Sequence, residues 1–342
     1  MNELVTFDDV LIKPRFSEIS SRQDVDLSTI IGQYCKLKLP LISANMDSVT
    51  NDKLAIELAK NGATACLPRF LSIDNNIKLL DRSKYEGVAP MVSVGLGPHE
   101  LERAYALFHA GATTIVIDVA HGAQISVVEQ VQKINEIVKD GADIIVGNFA
   151  SADSIDDFKF ILSKNIVAAW KVGIGPGSAC TTRTKTGIGI PQLSAIQDCV
   201  RGKNIVIADG GIKTPGDIAK ALGAGAKAVM LGGMFAGVDE APGDFWTVPG
   251  DDCLYKKYSG SASKESYEAQ GKNAKWRTAE GESFLVRAKG PVSEILQDIE
   301  GGLRSSFTYV GAKNIEDFQA KVQFVRITGS SIKENGAHGK NT

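Results

Sequence analysis

The chain has 342 residues, 43% of them hydrophobic and 23% charged, which is enough apolar material for a sizeable core. Its 38 basic and 40 acidic residues leave a net charge of −2, so no overall field favours a nucleic acid or an anionic membrane as partner. No apolar run approaches the ~18 residues of a membrane span, and the start, Met1-Asn-Glu-Leu-Val-Thr-Phe-Asp-Asp9, lacks the basic and apolar regions of a signal peptide. In chain order, short apolar runs predict strands at 40–44, 63–67, 90–94, 114–118, 143–147, 166–172, 205–209 and 227–231. Amphipathic helices are predicted between several of them, at 51–61, 100–110, 126–139 and 215–221. Continuous apolar strands alternating with helices imply a parallel sheet buried on both faces. Eight such units are the count for a closed (β/α)8 TIM barrel rather than an open doubly wound sheet. The expected organisation is one α/β barrel domain over 1–342, with a polar, mobile flap at about 258–290.

In such a barrel the loops after the strands share one face, where chemistry is done. Here they read Asn45-Met-Asp-Ser48, Asp118-Val-Ala-His-Gly122, Gly147-Asn148, a glycine- and threonine-rich stretch at 173–187, Asp209-Gly-Gly-Ile212 and Gly232-Gly-Met-Phe-Ala-Gly237. The two Gly-Gly turns end the seventh and eighth strands, where barrels commonly bind phosphate on amide N–H groups. Thr214-Pro215 is a good N-cap and first helical residue for the helix that follows. Ser178 adds a hydroxyl donor, and Asp209 suits a ribose diol. The stretch at 173–187 carries Cys180 among hydroxyl side chains, in a loop on the active face, and this favours a nucleophilic thiol. The other cysteines (Cys35, Cys66, Cys199 and Cys253) are widely spaced, so neither a disulfide framework nor a zinc site is expected, and a reducing cytoplasm fits best. His121 is the one histidine near the site, and it is expected to be structural. Asp47, Asp118, Asp209, Glu240 and Glu280 are acids at the mouth, and spacing alone selects none of them as a proton carrier.

The loops match a known pattern. Phe7-Asp-Asp-Val-Leu-Ile12, Ser43-Ala-Asn-Met-Asp47, the stretch at 173–187, Ala208-Asp-Gly-Gly-Ile212, Gly232-Gly-Met-Phe-Ala-Gly237 and Gly301-Gly-Leu-Arg-Ser-Ser306 resemble the IMP dehydrogenase/GMP reductase family over nearly the whole chain. The resemblance implies a purine nucleotide monophosphate substrate, a nicotinamide cofactor, a covalent bond between Cys180 and C2 of the base, and a homotetramer of barrels.

Three features point to the reductase branch. Residues 67–90 hold one ordinary helical connection, with no room for the paired regulatory domains that dehydrogenases insert there. No Arg-Tyr pair, the water-activating dipeptide of dehydrogenases, occurs anywhere in the chain. Trp276-Arg-Thr-Ala-Glu-Gly281 instead resembles the reductase flap. The resemblance then implies reductive deamination of GMP to IMP and ammonia with NADPH. Thr182 and Glu280 would relay protons between Cys180 and the departing amino group. Ser178, Asp209, Gly211, Gly232 and Gly233 would hold ribose and phosphate, Ser261 and Arg277 would lie near the base, and Asp118 and Asn148 would meet the cofactor. Carbonyls of Gly175, Gly177 and Cys180 would form a potassium site.

The chain departs from the pattern at Pro68-Arg69, where the family usually has histidine before a basic residue. It departs also at Asp118-Val-Ala-His, which is closer to dehydrogenases, at Val238, and at Val286-Arg-Ala-Lys-Gly290, which lacks the usual Pro-Tyr. Two alternatives stay open at this point. One is an IMP dehydrogenase without regulatory domains, and the other is a purine-binding barrel without turnover.

Overall fold

A computed structural model describes residues 3–263 and 278–331. Eight parallel strands close a barrel in chain order: β1 (Leu41–Ser43), β2 (Thr64–Leu67), β3 (Met91–Val94), β4 (Thr114–Asp118), β5 (Asp143–Phe149), β6 (Ala169–Val172), β7 (Val206–Asp209) and β8 (Ala228–Leu231). Closure is made by β8 on β1, with Val229, Met230 and Leu231 opposite Leu41, Ile42 and Ser43. The TIM barrel expected from the apolar runs is therefore the fold, and each strand overlaps the run that predicts it. Helices Asp52–Lys60, Pro98–His109, Ile125–Val138 and Pro215–Gly223 cover the outside where the helical pattern places them. Between β2 and β3 runs one helix, Ile73–Ser83.

Alternation along the strands builds two cores. Leu41, Leu67, Val92, Ile115, Ile117, Val146, Val172 and Val229 point outward to the helices. Ile42, Cys66, Met91, Val116, Ile145, Ala169, Ile207 and Ala228 fill the barrel interior. Two residues further along the same inward face lie Asp118, Gly147, Lys171 and Asp209, so the apolar filling is roofed by a charged layer at the C-terminal mouth.

The opposite end is closed by a small hairpin, Thr29–Ile30 paired with Lys36–Leu37. The Asp143 carboxylate at the start of β5 accepts the N–H groups of Gln33 (2.9 Å), Tyr34 (2.8 Å) and Cys35 (3.1 Å) in the hairpin turn. These are charge-assisted bonds to a carboxylate only 7% exposed. Asp143→Ala is expected to cost about 3 kcal/mol, because three donors lose their acceptor in a buried place. A thermal or urea melt checks it. Turnover by the folded variant should match the parent, since the hairpin lies at the far end from the mouth.

After β8 the chain forms a three-stranded antiparallel sheet, β9 (Trp246–Val248), β10 (Asp251–Ser259) and β11 (Ser283–Arg287). The outer parts of the expected flap are thus paired strands: Tyr258 opposes Phe284 and Ser259 opposes Ser283. Its middle, 264–277, lies outside the described residues. The long helix Val292–Val310 then packs on Pro215–Gly223. A Cβ on Gly302 would lie 2.8 Å from Pro215 Cβ, so the second glycine of the Gly301-Gly302 pair serves this helix crossing. Finally Phe324–Arg326 pairs antiparallel with Val10–Ile12 and joins the two ends of the described chain.

Candidate active site

The loop after β6 can leave its strand only through glycine. Gly173 has φ +151°, and a Cβ there would lie 1.9 Å from the Asp209 carbonyl oxygen. Beyond it the loop turns back, with the Cys180 N–H donating to the Gly177 carbonyl (3.0 Å), and enters the short helix Thr182–Thr186. The segment 260–263 and the returning residues 280–282 are stitched onto this loop. Thr181 N–H donates to Glu280 O (2.7 Å), Glu282 N–H to Ala179 O (2.9 Å) and Gly281 N–H to Ala262 O (3.1 Å).

That stitching brings together three side chains far apart in sequence. The Cys180 Sγ–H donates to Thr182 Oγ1 at 3.2 Å, and the Thr182 hydroxyl donates to Glu280 Oε2 at 2.7 Å. A thiol, a hydroxyl and a carboxylate in one line form a path for a proton away from sulfur. The remaining thiols offer nothing comparable. Burial pushes Cys35 and Cys199 up to about 12 and raises Cys66 as well, so all three stay protonated near neutrality. Cys253 lies away on β10.

Beside the thiol lies the charged layer. The Lys171 side chain is 3% exposed, with Nζ 2.7 Å from Asp118 Oδ1 and 2.6 Å from Asp209 Oδ2. It also donates to Asn148 Oδ1, while Asn148 Nδ2 donates to Asp209 Oδ2 (2.9 Å) and Gly173 O (2.7 Å). Asn45 Nδ2 holds the second Asp118 oxygen at 2.9 Å. Burial alone would lower the Lys171 pKa, but Asp118 and Asp209 outweigh it and raise the ammonium above the ordinary lysine range. Gly147 makes room for this lysine, since a Cβ there would lie 2.6 Å from Lys171 Cβ.

Two adjoining cavities open at the mouth. One of about 350 Å³ is lined by Cys180, Thr182, Glu280, Asp118, Asn148, Lys171, Gly175, Gly177, Ser261 and Arg69. The other, about 590 Å³, is lined by Ser178, Gly211, Gly232, Gly233, Thr214 and Lys289. Asp209, Met46 and Tyr258 border both. Thr214 caps the helix Pro215–Gly223 in a capping box with Asp217, so a helix N-terminus opens toward the larger cavity, in keeping with the Thr214-Pro215 signal. Ser178 Oγ lies 3.5 Å from the Tyr258 hydroxyl, and Tyr258 is 4% exposed.

Of the residues given catalytic, binding or metal roles from sequence, Arg277 lies outside the described residues. All the others line one cavity or both. His121 is exposed rather than structural, and Glu240 accepts the Val292 N–H (2.9 Å) at the start of the last long helix, away from the thiol. Sequence reasoning misses Lys171 and Tyr258. Lys171 sits inside an apolar run, and a lone lysine two residues past inward-facing Ala169 is its signal. Tyr258 falls at the edge of the expected flap, although Leu254, Lys256 and Tyr258 alternate as one face of a strand does.

Fold and site together define a barrel enzyme built around a thiol at its C-terminal mouth. A family model described as IMP dehydrogenase/GMP reductase domain matches residues 4–338, and the chain belongs to that family. It is 38% identical over 335 residues to a GMP reductase of Phytophthora infestans, covering 94% of this chain and 90% of the relative. It is 31% identical over 387 residues to an inosine-5'-monophosphate dehydrogenase of Cryptosporidium parvum, covering 98% and 94%. Among solved structures, a cysteine-to-alanine variant of GMP reductase from Trypanosoma brucei, in complex with guanosine 5'-monophosphate, superposes with a TM-score of 0.90 at 27% identity, covering 99% of this chain and 98% of that one.

Proposed function

We propose that this chain is a GMP reductase, an oxidoreductase that converts GMP to IMP and ammonia through a covalent bond between Cys180 and C2 of the purine. The observation that carries the reading is the hydrogen-bonded line from Cys180 Sγ through Thr182 Oγ1 to Glu280 Oε2. The chain has no Arg-Tyr pair to activate water, which suits an adduct that is reduced rather than hydrolysed. Similarity to GMP reductases at 36–38% identity over most of the chain supports the same branch.

The phosphate lies in the larger cavity, against Ser178, Gly211, Gly232 and Gly233 at the helix N-terminus. Asp209 holds the ribose where the cavities meet, with the Tyr258 hydroxyl beside Ser178. The base then lies over Cys180, near Ser261. As Cys180 bonds to C2, its proton passes through Thr182 to Glu280. The same path returns a proton to the 2-amino group, which departs as ammonia, so Glu280 ends this half-cycle as it began. NADPH, when bound, supplies the hydride that replaces the amino group at C2. Asp118 and Asn148, clustered at the Lys171 ammonium in the same cavity as the thiol, suit its ribose diol and carboxamide. The thiolate then leaves C2 and takes up a proton from solvent, its own having left with the ammonia.

Potassium also fits the loop. Gly175, Gly177 and Cys180 offer uncharged carbonyl oxygens, the donors a monovalent cation takes, and the buried Thr181 hydroxyl beside them has no partner among the described residues. We read the assembly as a homotetramer in the cytoplasm. Phe16 and Phe160, 90% and 85% exposed, support burial against another subunit, and the five free cysteines support a reducing compartment. No helix among the described residues is long and apolar enough to cross a membrane.

The decisive experiment follows nicotinamide absorbance with GMP plus NADPH and, separately, IMP plus NAD. NADPH loss with stoichiometric ammonia is expected, and NADH formation from IMP would overturn the assignment in favour of a dehydrogenase.

A further inference from the structure

We propose that Lys289 is a positioning residue for phosphate recognition, holding the Gly232-Gly233-Met234 turn in its binding shape; this rests on the nucleotide reading above. Lys289 Nζ donates to the Gly233 carbonyl at 2.5 Å and to the Met234 carbonyl at 3.2 Å. Its own backbone N–H donates to Gly237 O (2.9 Å), and Asp239 N–H donates to Gly290 O (3.0 Å), so the chain just past β11 is fastened along the loop that follows β8. The fit is close. Gly237 has φ +85°, and a Cβ there would lie 2.6 Å from the Arg287 carbonyl oxygen.

A trans peptide carries its N–H opposite its C=O, so an ammonium that holds the Gly233 carbonyl also fixes the aim of the Met234 N–H. Gly233 faces Ser178, since a Cβ on it would lie 3.1 Å from Ser178 Oγ. The pinned turn and the serine hydroxyl therefore border the same small volume. Charge points the same way. The larger cavity is lined by two lysines, Lys213 and Lys289, and by the carboxylates Asp209 and Asp298. Lys213 Nζ is 3.4 Å from Asp8 Oδ2, whereas among the described residues Lys289 has carbonyl partners and no carboxylate. Lys289 thus stands behind the pinned peptide as a cation with no carboxylate partner among the described residues, and adds positive charge to the wall that the phosphate dianion approaches.

The test removes the amine and the phosphate in turn. Binding of GMP and of guanosine is measured by calorimetry on the intact wild-type chain and on Lys289→Met, which keeps the aliphatic stem. GMP binding should weaken about tenfold, as loss of a charge-assisted contact implies, while guanosine binding stays within about twofold. Lys289→Arg should recover part of the GMP affinity. Equal losses for both ligands would mark Lys289 as merely structural and overturn the proposal, and so would unchanged GMP affinity in Lys289→Met. A wild-type chain that binds GMP no better than guanosine defeats the phosphate site itself, and that failure is visible before any variant is made.

Discussion

Replacing Cys180 by alanine should lower kcat for GMP reduction by roughly 10⁴-fold or more, the scale of loss when a covalent nucleophile is removed. GMP affinity should change little. The phosphate and ribose contacts lie in the adjoining cavity, and alanine removes only the sulfur. No buried thiol can substitute, because Cys35, Cys66 and Cys199 are enclosed in the core, and Cys253 is on β10 away from the site. Glu280→Gln separates the relay from the nucleophile. The amide keeps an acceptor for the Thr182 hydroxyl but cannot take its proton, so kcat should fall by about 10²–10⁴ while GMP still binds. Steady-state NADPH oxidation gives kcat, and calorimetry gives binding. Full activity in Cys180→Ala would sink the covalent route. A binding loss as large as the rate loss in Glu280→Gln would sink the relay.

Lys171→Met should be the most damaging change that touches no reacting atom. It leaves Asp118 and Asp209, whose side chains are 19% and 21% exposed, without the buried ammonium between them, so the cost should fall at the lower end of the about 3–5 kcal/mol typical when one partner of a buried ion pair is removed. The pH dependence should also reverse. In the parent, burial alone would raise the Asp118 carboxyl, but Lys171 and the Asn45 amide bring it below the ordinary range. Its stabilising contribution is therefore present above the unfolded value of about 3.9 and is lost as pH falls through the lower folded value. In Lys171→Met the Asp118 carboxyl keeps the burial that raises it and loses its largest opposing influence, so the variant should gain stability as pH falls from neutral toward about 3.9, where the parent does not. Melting curves at several pH values distinguish the two. A variant that loses stability on acidification just as the parent does would show that Lys171 does not hold Asp118 charged.

How much is legible in the sequence depends on how local each signal is. Strands buried on both faces are continuous apolar runs, so the eight barrel strands appear directly, with ends off by a few residues. β6 begins at Ala169 rather than 166, because the run also includes Ile166 and Val167 of the approach to it. The thiol, the Gly-Gly turns and Glu280 come from motif and family resemblance, which carry positions but no distances. The flap sheet escapes for a different reason. Tyr258 pairs with Phe284, and the alternation that marks β10 has meaning only once the face packed on the loops is known. Lys171 stays hidden because an apolar run with one lysine still looks like a run, and only the barrel shows which way that lysine points.

The charged layer stands two residues, about 6.6 Å, above the apolar filling on the same inward face. Val116 with Asp118, Ile145 with Gly147, Ala169 with Lys171 and Ile207 with Asp209 are therefore paired by parity. A slip of one residue in β4, β6 or β7 would turn its charged member out toward the helices and bring a core residue into the mouth, and in β5 it would put a side chain where Gly147 makes room for Lys171. Insertions within β4 to β7 should thus be far less tolerated than changes of length in the loops above them. New substrate preferences in such a barrel would arise by editing the rim, while the strand phase beneath it stays locked.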